Sequence, residues 1–91
     1  MPTLIQTYGS QQTDATILTP ASGKKLYLWQ VICDFAGGLA LEFITSAITV
    51  TDQPGGGQIG IMNPDKTGAV DEVLSLSCGA GTTVKILYDE I

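Results

Sequence analysis

The stretch Gly23-Lys24-Lys25-Leu26-Tyr27-Leu28-Trp29-Gln30-Val31-Ile32-Cys33-Asp34, GKKLYLWQVICD, decides how this chain is read. It is free of glycine and proline after Gly23, rich in β-branched and aromatic residues, and shows no helical stripe. A strand is therefore expected over Lys24–Asp34. Successive side chains of a strand point to opposite faces. The odd positions carry Tyr27, Trp29, Val31 and Cys33, and the even positions Leu26, Leu28 and Ile32, with Gln30 among them. Both faces are apolar, whereas a small antiparallel sheet normally buries one face and wets the other. The expectation is that one face fills the core and the other meets a neighbouring subunit.

Working outward, glycine and proline punctuate the chain at short intervals, and the runs between them read as strands. They are ATIL (residues 15–18), LALEFIT (39–45), ITVT (48–51), QIGIM (58–62), EVLSLS (72–77) and TTVKILYDEI (82–91). In LALEFIT, Leu39, Leu41 and Phe43 share a face. In EVLSLS, Leu74 and Leu76 oppose Ser75 and Ser77. In the last strand, Val84, Ile86 and Tyr88 alternate with Lys85 and Asp89, and Leu87 interrupts the polar face. The CGAG linker (78–81) is expected to join the last two strands as a hairpin. Residues 1–13 read as a polar N-terminal arm with a short strand around Leu4–Tyr8, and residues 14–91 as one β-sandwich domain. The fold class is all-β: a small antiparallel sandwich of seven or eight strands, jelly-roll-like or immunoglobulin-like, with no significant helix.

Composition narrows the function. Ninety-one residues suffice for one domain, and a chain this short buries only roughly 60–65% of its unfolded surface. Yet 44% of the residues are hydrophobic and 14% charged, against roughly 25% charged in an average soluble domain. Such a surface reads first as one covered by partners, with a polar-neutral surface rich in Thr, Ser, Gln and Gly as the alternative. The net charge is −5, from nine acids against four lysines, with no arginine. Nucleic-acid binding lacks its basic footprint here, and so does docking on anionic membranes. The opening MPTLIQTYGSQQTD has no basic region followed by an apolar run, so no secretory leader is expected. Cys33 and Cys78 are expected as buried free thiols of a protein made in a reducing cytoplasm, bridged only if their strands become neighbours.

No catalytic, cofactor or metal constellation emerges. Without histidine there is no His-dependent triad and no imidazole ligand, and Ser10, Ser22, Ser46, Ser75 and Ser77 lack a His base. Gly55–Gly57 lacks the Gly-Lys-Ser/Thr of a phosphate loop and reads as a hairpin tip. Asp71-Glu72 and Asp89-Glu90 are adjacent on strands or turns and do not converge. Asn63, Asp65, Asp71 and Glu72 offer oxygen ligands to calcium, without EF-hand spacing, and read first as an acidic turn. Lys24-Lys25 reads as a solvated strand start. Tyr27, Trp29 and Tyr88 read as a packed stripe or a subunit contact, with a sugar-binding platform as the alternative.

DATILTPASGKKLYLWQVICD followed by LALEFITS, with DEVLSLSCGAGTTVKILYDEI at the end, resembles small structural proteins of tailed bacteriophages. The matching features are Asp14-x-x-Ile17-Leu18-x-Pro20, Gly23-Lys24-Lys25 opening a long strand, and Leu74-x-Leu76. A glycine-rich turn and a closing strand bearing Tyr88 follow. The resemblance spans residues 14–91, departs at Trp29 and Cys33, and consists mostly of strand and turn grammar. It implies a virion protein of the capsid decoration, or cement, family: an enzymatically silent homotrimer on the outer capsid surface that binds the major capsid protein. On that reading Tyr27, Leu28, Trp29 and Leu87 form the subunit interface, and Leu4, Ile5 and Tyr8 of the arm dock on the capsid. The alternative is a phage tail or head-fibre module that binds host glycans.

Overall fold

The computed structural model describes residues 2–34, 37–53 and 59–91. Phe35 and Ala36, the first half of an expected FAGG turn (35–38), and the Gly55–Gly57 tip lie outside the described residues. The strands are β1 (Thr3–Tyr8), β2 (Gln12–Leu18), β3 (Leu26–Asp34), β4 (Leu39–Phe43), β5 (Ile48–Gln53), β6 (Ile59–Met62), β7 (Lys66–Thr67), β8 (Leu74–Cys78) and β9 (Thr82–Glu90). One sheet runs β1-β9-β3-β6, with β7 also paired to β3; the other runs β2-β8-β4-β5. Every pairing is antiparallel. β6 lies opposite residues 31–34 of β3 and β7 opposite residues 27–28, so the two act as one strand broken at Asn63-Pro64-Asp65. With that pair counted as one, the strand order is that of a jelly roll.

Strand β3 does not alternate evenly. Against β9, Leu28 pairs with Tyr88 and Gln30 with Leu87, so Trp29 has no partner. This is a β-bulge, one extra residue that shifts the phase of everything after it. Leu26 and Leu28 before the bulge, and Val31 and Cys33 after it, therefore all point into the core, each at most 1% exposed. Tyr27, Trp29, Gln30 and Ile32 take the other side. The two apolar faces expected from strict alternation are one core face and one mixed outer face. Leu28, expected at a subunit interface, is fully buried inside the chain's own sandwich and is not available to a partner.

Across the sandwich, Leu39, Leu41 and Phe43 of β4 and Leu74 and Leu76 of β8 meet Val84 and Ile86 of β9. These are the inward sets that the period-2 pattern marks. The hairpin expected at residues 78–81 is absent. β8 pairs with β2 and β4 while β9 pairs with β1 and β3, so the CGAG linker crosses from sheet to sheet. Two strands that each carry a full apolar face bury more by facing each other than by lying side by side. At this crossing the backbones touch: Gly79 N–H donates to Gly37 O at 2.8 Å. A Cβ on Gly37 would sit 2.5 Å from the Gly79 carbonyl carbon, so only glycine fits. Buried Thr82 completes the corner, its hydroxyl in reach of Gly79 O at 3.1 Å and Gly38 O at 3.3 Å.

The stretch expected as an N-terminal arm contains β1, paired to β9 from Thr3↔Leu87 to Tyr8↔Thr82, and the first two residues of β2. Leu4 and Tyr8 pack against the core, so of the three expected docking residues Ile5 alone points outward, 64% exposed.

The bulge makes neighbouring residues of β3 unequal. Leu28→Ala is expected to destabilise the fold by about 2–5 kcal/mol. Trp29→Ala should cost about 1 kcal/mol or less, as surface changes do. Urea unfolding of the two variants checks this, and equal losses would refute the bulged register.

Candidate functional site

Of the exposed large apolar side chains, Ile5, Trp29 and Ile61 lie on the outer face of the β1 sheet, while Ile44, Val70 and Ile91 lie outside its strands. Cross-strand register lines up Ile5 with Lys85, Lys85 with Ile32, and Ile32 with Ile61, one row across four strands. Ile5 is 64% exposed and Ile61 65%, while Ile32 is half-buried between its neighbours. A shallow groove of about 250 Å³ opens beside this row, lined by Ile5, Ile32, Cys33, Asp34, Thr83 and Lys85. Thr7 and Thr83 hydroxyls bond at 3.0 Å at its margin.

At the other end of the face stand the aromatics. The Tyr27 and Trp29 rings meet edge to face, centroids 4.8 Å apart at 82°. The bulge holds the Trp29 ring outward, 43% exposed, and its indole N–H donates to Asp89 Oδ2 at 2.6 Å. The Tyr27 hydroxyl donates to Asp65, and Gln30 Nε2 donates to Asn63 Oδ1 at 3.2 Å. The bond to Asp65, with some burial and the carboxylate's charge, raises the Tyr27 phenol above its ordinary pKa. Leu87 lies beside this cluster, paired with Gln30.

Of the four expected interface residues, Tyr27, Trp29 and Leu87 thus share one surface and Leu28 does not. Ile32 and Ile61 were not singled out in the sequence. Ile32 was visible on the even face of the strand, but its alignment with Ile61 depends on β6 pairing with β3.

The acids proposed for calcium are dispersed. Asp65 serves Tyr27. Asp71, at φ 63°, accepts the Gly23 N–H at 2.7 Å. Glu72 is buried and accepts from Ser46 N at 2.7 Å, Ser46 Oγ at 2.6 Å and Ala69 N at 2.8 Å. Among the described residues no three His, Cys, Asp or Glu side chains cluster as metal ligands. Cys33 and Cys78 are buried and unpaired. Burial, aided by the nearby Asp34 and Cys78, pushes the Cys33 thiol up to about 12, which leaves it a small hydrophobe. Comparison with family models, curated proteins and solved structures returns no match to this chain.

Glu72 clasps the turn after β4 to the turn before β8. Burial pushes its pKa up, but hydrogen bonds from Ala69, Ser46 and Thr45 outweigh it and hold the carboxyl below its ordinary value. Its stabilisation is therefore complete above the unfolded pKa of about 4.3, and is lost as pH falls through the lower folded value. Glu72→Gln should cost about 1.5–3 kcal/mol near neutral pH. It should also flatten the acid limb of a stability-against-pH curve measured by denaturant unfolding; an unchanged acid limb would remove Glu72 from that role.

Proposed function

We propose that this protein is a non-enzymatic structural subunit, a capsid decoration (cement) protein of a tailed bacteriophage. It sits on the outer surface of the virion as a homo-oligomer. The outer face of the β1 sheet binds the major capsid protein of the assembled head and stabilises contacts between its subunits. The observation that carries the reading is the row Ile5–Lys85–Ile32–Ile61, three isoleucines and one lysine across four strands of a chain only 14% charged. Exposed apolar bands of this kind mark protein contacts. A subunit that binds only the assembled lattice raises the lattice's stability by mass action and needs no chemistry. The resemblance of residues 14–91 to small phage structural proteins supplies the partner.

Undecorated heads mixed with the protein should co-sediment with it and resist heat or chelation better than heads alone. Ile61→Glu places a charge in the band without touching the core. A charge placed in such a contact is expected to cost over about 1.4 kcal/mol, so at least about tenfold weaker binding is expected. Heads that ignore the protein, or bind the variant as well as the original, would sink the proposal.

A second reading, a fibre module that binds host glycans, is favoured by the exposed Trp29 ring with Asp65 and Asp89 beside the aromatic pair. Trp29 is the chain's single tryptophan, so its fluorescence reports this surface directly. A saturable change on adding a host glycan, abolished by Trp29→Ala, would favour this reading over the first.

A further inference from the structure

Each sheet of the sandwich has two outer strands, and three of the four edges are blunted by devices that natural sheets use against edge pairing. β2 carries register shifts on both sides of Ala15 and Thr16, with Asp14 at φ 48°. β5 is bulged opposite the Leu41–Glu42 step and carries Asp52. The β6–β7 edge is short and broken at Asn63-Pro64-Asp65. β1 has none of these. Its six residues, Thr-Leu-Ile-Gln-Thr-Tyr, carry no charge and no proline, and they pair with β9 without a register shift. Among the described residues no strand covers its other side.

The phase of the hydrogen bonds shows what that side offers. Tyr88 N–H donates to Pro2 O at 3.1 Å, and Lys25 and Ile91 exchange bonds at 2.8 and 2.9 Å across β3 and β9. Both place the even residues of β1 against β9. The N–H and C=O groups of Thr3, Ile5 and Thr7 therefore point to the open edge.

We propose that two copies of this chain join edge to edge through β1, antiparallel, about a two-fold axis at Ile5. This register pairs all three outward-pointing residues of each copy. Ile5 exchanges both of its bonds with Ile5 of the second copy, and Thr3 does so with Thr7. Side chains directly opposite share a face, so the two Ile5 residues pair on the outer face, flanked by two Thr–Thr pairs of the kind that stabilise sheets. The two four-strand sheets become one, and the row Ile61–Ile32–Lys85–Ile5 runs on through the axis into its own copy. Charge at the edge itself does not oppose the contact. β1 is neutral, and the two Lys85 residues stand about 14 Å apart at about 4.8 Å per strand, beyond the roughly 8 Å Debye length of physiological salt. The contact is isologous and closes at two copies, unlike the three-fold ring that the phage resemblance implies. It rests on the edge alone and stands or falls independently of the capsid reading.

Light scattering after size exclusion should give twice the 9.5 kDa of one chain. Amide exchange followed by NMR on the unmodified chain separates this edge contact from stacking of apolar faces. The N–H groups of Thr3, Ile5 and Thr7 should become protected as concentration rises, and lose that protection on dilution, while those of Leu4 and Gln6 stay protected throughout. Ile5→Lys sets two ammonium groups opposite each other at the axis and should give a folded monomer. A monomer or trimer mass for the original chain would overturn the proposal. So would concentration-independent exchange at Thr3, Ile5 and Thr7, or an Ile5→Lys variant that remains a dimer.

Discussion

The bulge at Trp29 is the constraint on which the rest of this molecule depends. β3 is the strand that β9, β6 and β7 all pair with, so its phase sets the phase of the whole sheet. A strand of even alternation could send Leu26 and Leu28, or Val31 and Cys33, into the core, but not both pairs. Burying an aliphatic side chain gains about 1.5–3 kcal/mol, so misplacing two of them costs about 3–6. One irregular ladder position forfeits about one hydrogen bond, net about 0.5–1.5 kcal/mol. The bulge is the lower-energy solution. It has a second effect, since the unpaired residue is Trp29, whose large ring is left outside beside Tyr27.

With few charges available, the chain uses its acids as loop fasteners. Glu90 accepts the Ala21 N–H at 2.6 Å, Asp71 accepts the Gly23 N–H, and Glu72 gathers Ser46 and Ala69. On β2, Asp14 and Ser77 bond each other across the bulged stretch, from Asp14 N to Ser77 Oγ at 2.9 Å. Carboxylates bond backbone N–H groups more strongly than neutral acceptors do. The carboxylates of Glu90, Asp71 and Glu72 therefore tie down the β2–β3, β4–β5 and β7–β8 connections, and Asp14 adds a bond through its backbone N–H. This arrangement explains why adjacent acidic pairs in the sequence do not form a site: Asp71 bonds Gly23 while Glu72 bonds Ser46 and Ala69, and Asp89 bonds Trp29 while Glu90 bonds Ala21.

The outer face and the β1 edge are the two surfaces on which the proposed contacts rest. The inner face of the sheet is completed by the chain's own second sheet. The outer face keeps Ile5, Ile32 and Ile61 in a row, and the neighbouring edge keeps its backbone groups unpaired and uncharged. The two features meet at Ile5, whose side chain lies in the apolar band and whose backbone lies at the open edge.

The sequence by itself determined where most of the strands are, though not β7 at Lys66–Thr67 or the start of β2 at Gln12, and which residues of β4, β8 and β9 point inward. Apolar alternation and turn residues are local signals, and Leu39, Leu41, Phe43, Leu74, Leu76, Val84 and Ile86 are buried as that pattern requires. The gathering of Tyr27, Trp29 and Leu87 on one surface was partly legible in the same way. Only the tertiary structure decided the phase of β3, because a bulge forms against a partner strand and leaves no mark in a single-strand pattern; hence Leu28 lies in the core. Only it decided that β8 and β9 face each other across the sandwich, since a glycine-rich linker suits a hairpin and a crossing equally well. And only it decided that Thr3–Tyr8 is an edge strand of the sheet, because a short, half-polar strand gains its stability from β9, which lies at the far end of the chain.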